Sequence, residues 1–359
     1  MSLALKGHGT MFKQEGQSLV RKLNKNASVV LLCGIFMFIS VLMCMSICSM
    51  PCEYTSMENK LIHQKMRQAV VVSKRNSDSI VRTNVKQYQA FLVILLLVGP
   101  NQYEERKTIR QTWLLQTPKD VLNYFVLGTE NLTTAERQRL EVENREHHDL
   151  LLLDTFQDSY HALTKKLLEA YKWLDANVDF QFVFKGDDDT FVHMDALLRE
   201  LRQKPSHRLY WGFFDGRARV KRRSRKWAEN KWVLCDRYLP HALGGGYVLS
   251  SDLVHFLALN SELLTLYNSE DVSVGTWLAP LEIHRVHDPR FDTEYKSRGC
   301  FNEYIVTHKQ DRQMMHEKHE QLQRTGRLCE SEYRIYLSYK YNWQVLPSMC
   351  CIRNDSSIP

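Results

Sequence analysis

Phe180-Gln181-Phe182-Val183-Phe184, then Lys185-Gly186, then Asp187-Asp188-Asp189: this stretch limits what the chain can be more than any other. Four of its first five residues are aromatic or β-branched, the mark of a buried strand. The strand runs straight into three carboxylates. In open α/β sheets, ligands bind beyond the carboxyl ends of the strands. Three adjacent anions in such a place repel one another and are costly to desolvate unless something neutralises them. A hard divalent cation, magnesium or manganese, does so and leaves coordination positions open for substrate phosphates. The stretch therefore suggests a metal–diphosphate site. The plainer alternative is a solvated acidic turn that caps the next helix.

The surrounding pattern supplies the sheet. Residues 90–98 are an apolar run, as expected of a central strand covered on both faces. Gly99-Pro100-Asn101 stops it. Residues 104–115 read as a helix, 124–127 as a strand, 135–146 as a charged helix and 149–153 as another strand. Leu163, Leu167, Leu168, Tyr171 and Leu174 make an apolar helical stripe ahead of the strand at Phe180. Helices are expected again at 194–202 and a strand at 209–214. Strands alternating with helices predict an α/β fold with a mostly parallel central sheet flanked by helices.

Residues 27–50 carry no charge over 24 positions, long enough to span a bilayer as a helix. The segment starts too far in, and runs too long, for a cleaved signal peptide. Lys13, Arg21, Lys22 and Lys25 precede it, so the positive-inside rule places residues 1–26 in the cytosol and the remainder across the membrane. Residues 51–88 are polar and read as a stem, leaving 89–359 as one globular domain. Cys52, Cys235, Cys300, Cys329, Cys350 and Cys351 would then lie in an oxidising compartment, with fifteen possible pairings. Asn131-Leu132-Thr133 and Asn354-Asp355-Ser356 are glycosylation sequons there. The net charge of +7 is too small to argue for a nucleic-acid partner.

Four further features carry chemistry or packing. Residues 217–226 hold seven basic side chains in ten, either a solvated loop or a dock for an anionic acceptor. Gly244-Gly245-Gly246 lets a backbone approach a ligand closely, or makes a tight turn. Asn268-Ser269-Glu270-Asp271 precedes an apolar helical run. Asn268 could cap that helix and Asp271 could satisfy its first-turn amides. Alternatively Asp271 is a general base for a sugar hydroxyl. Residues 333–343 alternate with period two, as in a half-buried strand; stacking of a sugar on one of its aromatics is the less favoured reading.

Together these motifs resemble the Golgi β1,3-glycosyltransferase family. Lys185-Gly186-Asp187-Asp188-Asp189-Thr190-Phe191 matches its Lys-x-Asp-Asp-Asp-x-Phe signature. Residues 105–113 resemble its first signature, and residues 244–250 and 270–275 the next two, in the right order. Residues 210–214, 239–243, 287–295 and 306–310 resemble the galactosyltransferase branch that acts in proteoglycan synthesis.

The resemblance implies a GT-A type nucleotide-sugar-binding fold and a Golgi membrane enzyme, single-pass type II, with its catalytic domain lumenal. It implies a UDP-galactose donor, manganese, and inversion at the anomeric carbon. The acceptor implied is the galactose of Gal-β1,4-Xyl on a xylosylated and galactosylated proteoglycan core protein. Asp189, Asp187 and His308 would hold the metal. Asp187, Asp188, Arg106, Arg110, Lys185, Gly244, Gly245 and Gly246 would serve the nucleotide sugar, and Asp271 would be the catalytic base. A sister β1,3-N-acetylglucosaminyltransferase and a catalytically silent chaperone of such enzymes are the alternatives.

Overall fold

The computed structural model describes residues 86–223 and 228–359. The expected membrane span, cytosolic tail and most of the stem lie outside them. Among the described residues no helix is long and apolar enough to cross a membrane.

A seven-stranded sheet in the order β3-β2-β1-β4-β7-β6-β8 forms the frame, comprising β1 (Tyr88–Leu97), β2 (Val121–Gly128), β3 (Leu150–Leu153), β4 (Val178–Asp187), β6 (Leu209–Asp215), β7 (His241–Ser250) and β8 (His284–His287). β1 is central because it is apolar on both faces; from Leu92 to Leu97 every side chain is buried. It pairs in parallel with β2 and β4, with Leu97 opposite Asp187. That register puts the loop after β1 beside the aspartates. β7 is antiparallel to both β4 and β6, so the sheet is mixed and not uniformly parallel. The glycine triplet lies inside β7, so it makes no turn.

The helices follow from the sequence pattern. α1 (Tyr103–Gln111) follows β1, and α2 (Thr134–His147) starts with a capping box. There the Thr133 hydroxyl accepts from the Glu136 N–H while Glu136 accepts from the Thr133 N–H. α3 (Leu163–Asn177) buries Leu167, Leu168, Ala170, Tyr171 and Leu174 on the sheet. α4 (Met194–Leu201), α5 (Ser251–Leu259) and α6 (Glu270–Leu278) complete the cover.

The last third is built differently. β5 (Phe191–Val192), β9 (Phe291–Asp292) and β11 (Val306–Thr307) form a small sheet in the order β5-β11-β9. It carries His308 to the end of β4. β10 (Gly299–Cys300) pairs with β12 (Tyr333–Arg334), and α7 (Arg312–Thr325) lies between them in sequence. The period-two run forms a strand only over Tyr333–Arg334. Beyond it, Tyr339 and Tyr341 turn inward onto aromatic neighbours without a paired backbone. Of the six cysteines expected in an oxidising compartment, Cys300 is bonded to Cys329 and Cys350 to Cys351. The Cys235 thiol donates to the Arg237 carbonyl, and Cys52 lies outside the described residues.

Candidate active site

β4 ends in the triplet at the sheet's carboxyl edge, and the three carboxylates have different partners. Asp187 Oδ1 accepts from Lys185 Nζ at 2.7 Å. Asp189 Oδ1 lies 2.8 Å from His308 Nε2 and its Oδ2 2.9 Å from Lys309 Nζ. Asp188 accepts from the Gln102 amide in the loop after β1. Burial raises the Asp188 pKa to about 6, and the Asp189 and Asp187 charges add to it. Burial works the same way on Asp187 and Asp189, but Lys185 and His308 for the first, and His308 and Lys309 for the second, outweigh it and hold both below the ordinary value.

Asp187, Asp189 and His308 can each offer one ligand atom, and these atoms all lie within 4.8 Å of one another. Two carboxylate oxygens and an imidazole nitrogen suit a divalent ion of the manganese class. The charge balance fits as well. Burial disfavours the His308 cation, but Asp187 and Asp189 outweigh it and raise its pKa to about 9. The sequence reading of a possible metal site is met to this extent.

Lys185 is a buried strut. Its Nζ reaches Asp187 at 2.7 Å, Glu270 Oε1 at 2.6 Å and the Gly244 carbonyl at 2.6 Å. Burial alone would strip its proton, but Asp187 and Glu270 more than offset that and hold its pKa above the usual lysine value. Lys185 therefore ties the metal-side aspartate to the start of α6. The same burial raises the Glu270 pKa against the pull of Lys185.

The glycines make room for side chains. A Cβ on Gly244 would sit 2.6 Å from Glu270 Oε1, one on Gly245 2.5 Å from the His308 ring, and one on Gly246 2.9 Å from Val306. Their absence of side chain lets the second acidic cluster and the histidine close on β7. Asp271 sits in the first turn of α6. Its Oδ2 accepts the Gly244 N–H at 3.0 Å and its Oδ1 accepts its own neighbour, the Val272 N–H, at 2.7 Å. Asn268 does not cap this helix; the cap position is Ser269, which makes no side-chain cap bond.

Two residues expected on the donor side are held in ion pairs. The Arg106 guanidinium is buried and bonded twice to Glu143 and once to the Gly99 carbonyl. Arg110 bonds Glu143 and Asp149 and lies over Phe125. A buried Glu143 needs cations, and both arginines meet that need. Arg106 also braces the loop after β1 through the Gly99 carbonyl, and both arginines tie α1 to Glu143 on α2.

The sequence reading missed a second strut. Lys166 is buried, with its Nζ 2.7 Å from the Val98 carbonyl and 2.6 Å from Asp158, which also accepts the Gly128 N–H. One lysine thus joins the ends of β1 and β2 and the loop after β3. Its signal was a charged residue on the buried, apolar face of α3.

The residues from 104 to 289 match the family model described as Galactosyltransferase, a little over half of the chain. The chain belongs to the Galactosyltransferase family. It is 53% identical over 274 residues to β-1,3-galactosyltransferase 6 of Mus musculus, covering 74% of this chain and 84% of that one. It is 32% identical over 251 residues to β-1,3-galactosyltransferase 5 of Gorilla gorilla gorilla, covering 67% and 82%. UDP-GalNAc:β-1,3-N-acetylgalactosaminyltransferase 2 of Danio rerio is 37% identical over 156 residues, covering 43% of this chain and 31% of that one. As a member of the Galactosyltransferase family the chain is a glycosyltransferase.

Proposed function

We propose that this glycosyltransferase moves galactose from UDP-galactose, in β1,3 linkage, to the terminal galactose of Gal-β1,4-Xyl on proteoglycan core proteins. In this reading it is a GT-A enzyme of the Golgi membrane, with residues 1–26 cytosolic, 27–50 spanning, 51–88 a stem and the catalytic domain in the lumen. The supports are the likeness to the mouse galactosyltransferase and the residues around Asp271.

Asp187, Asp189 and His308 would hold manganese, which when bound neutralises the diphosphate as it departs. Asp271, steadied by the Gly244 N–H, takes the proton of the acceptor 3-hydroxyl. The freed oxygen bonds to the anomeric carbon as its bond to the UDP oxygen breaks, so one displacement inverts the configuration and no enzyme nucleophile is required. Lys185 keeps base and metal-side carboxylates in fixed relation.

The carrying observation is that Asp271 is anchored to the strand that also packs against His308. The test is transfer by the purified lumenal domain from labelled UDP-galactose, UDP-N-acetylglucosamine and UDP-N-acetylgalactosamine to xyloside-linked galactose and to N-acetylglucosamine termini. Asp271→Asn should lower turnover by roughly 10² to 10⁴ with the melting temperature kept. A variant that melts early yet turns over normally would make Asp271 a helix-start residue only. Preference for UDP-N-acetylglucosamine would support the sister β1,3-N-acetylglucosaminyltransferase instead, and preference for UDP-N-acetylgalactosamine an activity of the kind that the Danio rerio relative's name states.

A further inference from the structure

His308 and Lys309 depart from the habit of an extended chain. Successive side chains of a strand point to opposite faces, and β11 runs straight into this pair. Yet both converge on one carboxylate. His308 Nε2 lies 2.8 Å from Asp189 Oδ1, while Lys309 Nζ lies 2.9 Å from Asp189 Oδ2 and 3.2 Å from His308 Nε2. The cause is the backbone of Lys309, whose φ of 60° is in the left-handed region that residues with a Cβ rarely adopt.

This conformation is held from both sides. The His308 N–H donates to the Asp292 carbonyl at 3.0 Å, and the Gln310 N–H to the Asp189 carbonyl at 2.8 Å. The Gln310 amide donates to the His308 carbonyl at 2.8 Å. Glycine would make the same turn without strain, so the turn by itself does not call for a lysine. The lysine adds a cation on a flexible stem beside the candidate metal ligands. The other lysine at the triplet is unlike it. Lys185 is buried and bonded to three oxygens, whereas the Lys309 side chain is 46% exposed.

With a divalent ion on Asp187, Asp189 and His308, an ammonium this close to two of the ligands stands beside a like charge. An exposed lysine relieves that repulsion by turning to the nearest anion, which in a nucleotide-sugar enzyme is the diphosphate. Oxygens sharing one octahedral ion of this class lie about 3 Å apart. A diphosphate oxygen that shares the ion with Asp189 is therefore within reach of the Lys309 stem with no movement of its backbone.

We propose that Lys309 is a diphosphate-binding residue that exchanges Asp189 for the leaving phosphate when the donor binds. The proposal rests on the nucleotide-sugar reading given above, but not on which sugar is carried or which acceptor is used. As the bond between the anomeric carbon and the phosphate oxygen breaks, its electron pair stays on that oxygen, and the ammonium meets the added charge. Lys309 gives up no proton in this step.

The experiment is calorimetric binding of manganese alone, and of UDP and UMP in saturating manganese, to the full-length protein, with donor and acceptor KM measured alongside. Lys309→Met keeps the stem and removes the charge. It should weaken UDP by roughly tenfold to a hundredfold, the usual worth of a hydrogen bond from a charged group, and raise the donor KM in step. UMP, which lacks the leaving phosphate, and the acceptor KM should stay within about twofold. Manganese alone should bind as tightly as before or more tightly, because a like charge has gone. Lys309→Arg should recover most of the UDP affinity. Lys309→Gly suits the left-handed backbone and supplies the reading if the methionine variant unfolds. A lysine that only neutralises Asp189 gives a different pattern. Unchanged UDP affinity in the methionine and glycine variants, a loss for UMP as large as for UDP, or weakened manganese binding would each overturn the proposal. UDP affinity lost as expected, in a protein that transfers to no galactoside, would support Lys309 and overturn the proposed acceptor. A wild type that binds no UDP would sink both.

Discussion

The first half of the sheet and the last third of the chain are stabilised in different ways. β1, β2 and β4 bury continuous aliphatic and aromatic surface, and their backbones pair along their lengths. From β8 onward the named strands are two to four residues long, and order comes from single side chains. Arg298, fully buried, bonds Asp292, Ser338 and the Pro289, Phe291 and Pro359 carbonyls. Arg353 ties Leu337 and Glu294, and Arg334 ties Ser356 and Ile358. Burial of area is non-directional and tolerant of repacking. A buried cation is directional, and removing it leaves its anion unpaired. The half that carries the aspartate triplet is thus robust, while the third that carries His308 depends on a few irreplaceable contacts.

The contrast is open to attack at several strengths. Arg298→Met should cost the most, roughly 3–5 kcal/mol, because Asp292 is left charged and fully buried. Hydrogen exchange should show the loss of protection concentrated after residue 284, with β1, β2 and β4 still protected; uniform loss would mean the two regions are not separable. Leu95→Ala should cost roughly 2–5 kcal/mol by cavity formation, but as one cooperative transition with global loss of protection.

Acid should act on the last third in particular. His287 accepts the Phe214 N–H on Nδ1 and its Nε2 faces the Tyr339 carbonyl, so the neutral form carries its proton on Nε2. Burial lowers its pKa to about 4, whereas the unfolded chain takes up that proton near the ordinary value. The fold binds fewer protons in between, so stability falls as pH drops from about 6.5 towards 4, by about 3 kcal/mol in full. His287→Gln keeps a donor and an acceptor and should flatten that part of the pH profile, measured as the difference from wild type. Equal acid loss in both proteins would remove His287 from the account. The smallest effect is expected of Lys172→Ala, whose surface pair with Glu169 contributes only about 0.2–0.5 kcal/mol.

This division also explains what could be read in advance. β1, β2, β4 and α3 were legible because periodicity and apolar runs report burial on regular elements. The positions of the triplet at the end of β4 and of Asp271 at the start of α6 were legible from the apolar runs beside them. The pairing of Arg106 and Arg110 with Glu143 was not legible, because nothing in the local sequence says that Glu143, more than thirty residues on, is buried. Residues 333–343 alternate as a strand does, yet only Tyr333–Arg334 pair in a ladder, and Tyr339 and Trp343 pack on Phe213, Phe214 and His287 instead. The reversal of β7 was hidden as well, since a strand's pattern is the same in both directions.

One small feature bears on how the protein is handled at the bench. Thr133 is at once the last position of the Asn131 sequon and the residue whose hydroxyl starts α2. Alanine there would erase a glycan acceptor and uncap a helix in the same stroke, so a change in secretion or melting could not be assigned to either cause. Asn131→Gln removes the acceptor alone, because the Asn131 side chain takes no part in the capping box. Thr133→Ser preserves both. A glycoform comparison built on that pair keeps carbohydrate and backbone effects apart, whereas one built on Thr133→Ala confounds them.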